Sequence, residues 1–104
     1  MSHHEQAKQI ISESVDSINT RLQLSGDREI LNTEDEILLG EGGRLDSLSL
    51  VHLTVAVEEK TEALTGRAII LVDDRAMSQK ERPLETIGSL IRYIEKLLSE
   101  YENA

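Results

Sequence analysis

Three stretches of this chain carry apolar residues at helical spacing, and each is bounded by residues that stop a helix. They leave little room for anything but a small helical bundle. From Glu5 to Leu22 the apolar positions are Ala7, Ile10, Ile11, Val15, Ile18 and Leu22, an i, i+3, i+4 stripe on one face of a helix. Ser25-Gly26-Asp27 ends it, with Gly26 suited to a left-handed C-terminal cap. A second helix is predicted from Ser47 to about Leu64, with Leu50, Leu53, Val57 and Leu64 on the core side, Thr61 near them, and Leu48, Val51 and Val55 on a strip beside it. A third runs from Ile87 to about Tyr101, capped by Thr86, with Ile87, Leu90, Ile91, Ile94, Leu97, Leu98 and Tyr101 on one broad face. The expected fold is all-α: three main helices, one or two short ones, and a long first loop, in a single domain over residues 1–104 with a frayed start at 1–4.

The connections are less regular. Asp27 to Leu45 is long for a loop in a domain of this size, and such loops usually carry function. Thr33-Glu34-Asp35-Glu36 has capping-box spacing, so a single helical turn is predicted over Glu34–Leu38, with Ile30, Leu31, Ile37, Leu38 and Leu39 anchoring the loop. Ala68 to Val72 reads locally as a strand, but no second strand-like run could pair with it, so an extended segment across the helices is expected. Asp73-Asp74 is better suited to capping a short helix, Asp74 to about Gln79, than to holding a metal, because oxygen-only sites need more ligands.

Composition removes several function classes. Eleven Lys and Arg against twenty Asp and Glu give a net charge of −9, which opposes nucleic-acid binding and favours partners with basic patches. With two Tyr and neither Phe nor Trp, the core must be aliphatic, and stacking platforms for bases are lacking. No Cys is present, His3-His4 lacks companion ligands, and Glu58-Glu59 sit on adjacent helical positions rather than facing each other. Neither a metal site nor a catalytic constellation is expected, so the chain is not read as an enzyme. No membrane-length apolar run or secretory-type opening is found, making the cytoplasm the expected compartment and membrane insertion unexpected.

The remaining feature is the junction Leu38-Leu39-Gly40-Glu41-Gly42-Gly43-Arg44-Leu45-Asp46-Ser47-Leu48, where glycines and charge give way to the second helix. Asp46 is placed to cap that helix, which puts Ser47 at its first position, at the positive end of the helix dipole. An Asp-Ser pair alone requires no more than a helix start. Followed by Leu48 to Glu59, however, the stretch resembles the acyl carrier protein family, in its free-standing, specialised type. The resemblance covers about Leu38 to Leu98, including the run from Arg75 through Arg82-Pro83 to Ile94.

The resemblance implies that Ser47 carries a 4′-phosphopantetheine arm, transferred from coenzyme A by a phosphopantetheinyl transferase, with Asp46 and Leu48 completing the motif. It implies a monomer serving lipid or polyketide biosynthesis, with an acyl thioester on the arm. Its partners would be acyl-loading and acyl-transferring enzymes with basic docking patches, reading Leu48, Val51, Val55, Glu58 and Glu59. His52 departs from the family, which often has an acid there. Leu45-Asp46-Ser47-Leu48 is also similar to the motif of D-alanyl carriers, and the sequence does not separate acyl from amino-acyl carriage. An unmodified acidic interaction module is a further alternative. A fatty cargo inserted into the aliphatic core would be felt at Leu53, Val57 or Ile94.

Overall fold

Each of the three periodic stretches forms a helix in the computed structural model, which describes residues 2–38, 45–69, 71 and 84–102. Helix α1 spans His3–Leu24, α2 Ser47–Thr65 and α3 Ile87–Glu102; among the described residues there is no strand. Both α2 and α3 pack against α1. The expected all-helical bundle is what the chain forms.

α1 starts earlier than its apolar pattern requires. The Ser2 hydroxyl accepts the Glu5 N–H at 3.1 Å, so residues 2–4, expected to be frayed, form a capped first turn. At the other end Gly26 takes φ 75°, the Asp27 N–H reaches the Leu22 carbonyl at 2.8 Å, and the Gly26 N–H reaches that of Gln23 at 3.1 Å. That pair of bonds is a Schellman closure, which satisfies carbonyls the helix would otherwise leave open. Gly66 ends α2 in the same left-handed conformation.

Apart from Tyr93, which the expectation of a purely aliphatic core left out, the core is aliphatic. Ala7, Ile10, Ile11, Val15, Ile18 and Leu22 of α1 meet Leu53 and Val57 of α2 and Ile87, Leu90, Ile91, Ile94, Leu97 and Leu98 of α3, all buried. Leu50 and Leu64 are only partly buried against it. Truncating one of the enclosed leucines or isoleucines to Ala would cost about 2–5 kcal/mol. The hydroxyls of Ser14 and Thr61 are buried too, each donating to a carbonyl one turn back, Ile10 and Val57 respectively, at 2.7 Å. Tyr93 joins the core although it lies off the main stripe of α3.

The first loop departs from expectation. Glu34–Leu38 is not helical: the Glu36 N–H closes a turn on the Thr33 carbonyl, and Ile37 then forms an isolated antiparallel bridge with Thr86. Leu38 N–H donates to Glu85 O at 2.8 Å and Ile87 N–H to Glu36 O at 3.0 Å, so pairing with a distant segment replaces the local helix. The Glu36 carboxylate accepts the Leu31 N–H at 2.5 Å instead of serving a helix cap. Ile30 and Leu38 anchor the loop, whereas Leu31 and Ile37 are exposed.

Asn19 of α1 fastens the loop from the other side. Its amide donates to the Ile30 carbonyl at 2.9 Å and accepts the Ile30 N–H at 2.8 Å. Beyond α2, Ile69 and Leu71 are buried and neither lies in a strand; Ile70 lies outside the described residues. The Leu39 anchor, the glycines before Leu45, Val72, the short helix expected over Asp74–Gln79, and the side chains of Ser47 and Tyr101 lie outside the described residues.

Candidate functional site

Asp46 is in extended conformation, φ −79° and ψ 176°, and the chain turns helical at Ser47. The Asp46 carboxylate accepts the Ser49 N–H at 2.7 Å, and its carbonyl accepts the Leu50 N–H at 2.9 Å. This is the N-cap read from the sequence, with Ser47 at the first helical position. The Ser49 backbone N–H, and after it the Ser49 hydroxyl, hold the Asp46 carboxyl below the usual carboxylate range, with a smaller contribution from His52. Asp46 is therefore a charged cap at neutral pH. The backbone N–H groups at 47 and 48 have no carbonyl one turn back within the helix, so this end of α2 keeps a partial positive charge.

The strip beside the core is open. Leu48 is 65% exposed, Val51 52% and Val55 43%. Positions 48, 51, 52 and 55 share one face of α2 by their i, i+3, i+4, i+7 spacing. His52, half-buried in that face, meets Arg21 from the last turn of α1, with Arg21 Nη2 and His52 Nε2 3.4 Å apart. The contact sets the C-terminal end of α1 beside the N-terminal end of α2. Leu24, one turn past Arg21, is 85% exposed. Arg21 and Leu24 escaped the sequence reading because both lie off the α1 stripe; a basic residue in a last helical turn usually reads as a response to the helix dipole.

The two acids assigned to the same surface part company. Glu59 is exposed. Glu58 is half-buried, and one of its carboxylate oxygens accepts the Leu71 N–H at 2.7 Å, tying the chain at Leu71 to α2. Among the described residues no cluster of three or more His, Asp or Glu is arranged to hold a metal ion; His4 instead meets Glu95 of α3 at 3.1 Å. No described helix is long and apolar enough to cross a membrane.

These features define a three-helix bundle whose second helix opens on a capped serine and displays an apolar strip with one arginine at its edge. Comparison with protein-family models, with curated proteins and with solved structures finds no match to this chain.

Proposed function

We propose that the protein is a carrier, holding an acyl group for partner enzymes through a phosphopantetheine arm on Ser47. The observation that carries this reading is the start of α2: a serine at the first helical position, behind an N-cap whose carboxylate is engaged with Ser49, and ahead of an exposed apolar strip. The residues beside position 47 fit such a group. Asp46 and Leu48, on either side of it, are both exposed. The helix start favours a phosphodiester anion by about 0.3–1 kcal/mol at an exposed position. Asp46 opposes that anion with its own charge, but hydrogen bonding to the first turn draws its carboxylate to Ser49.

When bound, the arm supplies a thiol that holds the acyl group as a thioester. The chain's own contributions are an attachment oxygen at Ser47, a helix end that favours an anion, and a face of Leu48, Val51 and Val55 for enzymes to grip. Glu59 extends that face as an acidic contact, while Glu58 is partly committed to Leu71.

The test is intact mass after incubation with coenzyme A and a phosphopantetheinyl transferase. The wild-type chain should gain one phosphopantetheine, and Ser47→Ala none. Unchanged wild-type mass with several active transferases would remove the carrier reading and leave the unmodified interaction module.

A further inference from the structure

Arg21 is the odd charge on this surface. In a chain with nearly twice as many acids as bases, its guanidinium pairs with no carboxylate among the described residues and instead meets the His52 imidazole. Asp46, six positions before His52 at the start of α2, already accepts the Ser49 N–H. A guanidinium offers five donors in a planar fork matched to a carboxylate, and one imidazole nitrogen leaves most of that fork unused.

The setting is apolar. His52 sits among Leu48, Val51 and Val55 on one face of α2, and Leu24 lies one turn beyond Arg21 on α1. Arg21 thus meets, through His52, a helix face that carries exposed aliphatic side chains, and interface centres combine such apolar contacts, which exclude water, with one strong polar pair. Four large aliphatic side chains are exposed here, Leu24, Leu48, Val51 and Val55, three of them on one face of α2.

We infer that this face, Leu48, Val51, His52 and Val55 with Arg21 and Leu24, binds a helix or loop of a protein partner that places a carboxylate on Arg21 between aliphatic contacts. The inference rests on the carrier reading for the biological role of the face and gives that face a chemistry of its own. The net charge of −9 attracts a partner that is basic at its periphery. Arg21 then selects, at close range, the one that also carries an acid at the centre, since charge pattern sets register and rejects wrong partners.

The test titrates the unmodified, isotope-labelled full chain with two synthetic amphipathic helical peptides. Both carry a Leu/Ile face and Lys flanks, and they differ only in a Glu or a Lys at the centre of the face. The Glu peptide should bind about fivefold or more tightly than the Lys peptide, a preference that one good charge-assisted pair supplies. It should shift the amides of Leu24, Leu48, Val51, His52 and Val55. Arg21→Gln should abolish the preference and Arg21→Glu should invert it, with amide shifts away from the face showing that both variants stay folded. Equal affinity for the two peptides, or shifts centred elsewhere, overturns the inference. So does concentration-dependent broadening of the same amides without peptide, which would assign the face to a second copy of the chain. Because no arm is involved, a failed mass shift at Ser47 alongside the expected selectivity would sink only the carrier reading, and the reverse result only this one.

Discussion

Gly88 in the first turn of α3 donates its backbone N–H to the carbonyl of Glu34 at 2.9 Å, and the two residues approach so closely that a side chain at 88 has no room. A Cβ there would lie 2.9 Å from that carbonyl oxygen and 3.1 Å from the Glu34 Cβ. With the Ile87 N–H on the Glu36 carbonyl and the Ser89 N–H on the Thr86 hydroxyl at 3.0 Å, the open donors of α3 are met largely by the first loop.

Gly88→Ala is accordingly expected to destabilise the fold. Ala gains up to about 1 kcal/mol in helix propensity. Against that, backbone must shift from backbone, and overpacking of this kind costs about 1–3 kcal/mol before the bond to Glu34 is counted. The net should be a lowered urea midpoint with an unchanged slope, together with faster amide exchange at Ile87 and Gly88. An unchanged or raised midpoint would mean the loop gives way freely.

Asn19→Ala removes both bonds to Ile30, whose buried position leaves its N–H and carbonyl poorly served by water. The expected loss is about 1–3 kcal/mol. Asn19→Asp is the sharper probe, since a carboxylate can still accept the Ile30 N–H but repels its carbonyl. Hydrogen exchange at the Ile30 amide should rise strongly in the Ala variant and only partly in the Asp variant. Equal protection in all three proteins would contradict the clamp.

Asp46 yields a pH prediction. Its carboxyl titrates below the ordinary range in the folded chain, chiefly through the Ser49 N–H, so folding favours the charged form. A group depressed on folding stabilises above its unfolded pKa, and that contribution is lost as pH falls through the folded pKa. The stability difference between wild type and Asp46→Ala should therefore be full at neutral pH and shrink in the acid range below normal carboxylate titration. The Asp46 side-chain resonance should show the low midpoint directly. A midpoint equal to that of an unstructured aspartate would rule out the capping bond.

Glu58→Gln keeps an acceptor for the Leu71 N–H and should leave exchange at that amide slow. Glu58→Ala removes the acceptor and should speed it, at a stability cost of about 1 kcal/mol. If both variants exchange alike, the carboxylate does not hold the segment.

How far the chain could be read in advance depended on the range of the forces involved. α1, α2 and α3 were legible because burial repeats with the helix period, and the ends at Gly26, Asp46 and Thr86 were legible because caps are chosen by local chemistry. Thr33-x-x-Glu36 misled because its spacing is a cap only if a helix follows; the pairing of Ile37 and Leu38 with Thr86 and Glu85 is some fifty positions away in sequence and leaves no local trace. Likewise, nothing in Ile30-Leu31 says which of the two goes inside until Asn19 grips Ile30. Within the candidate site the motif at 46–48 was visible, whereas the Arg21 contact needed the register of α1 on α2. The role of Glu58 needed the path of the chain after Gly66.

Carbonyls at 34 and 36 meeting amides at 87 and 88 also bear on how the molecule assembles. Those contacts close a loop that includes the whole of α2, so they arrive only after a large entropic cost has been met. The first loop should thus settle late, in the same cooperative step as α3. A fragment ending after α2 would hold an unfinished crossing rather than a smaller version of the fold.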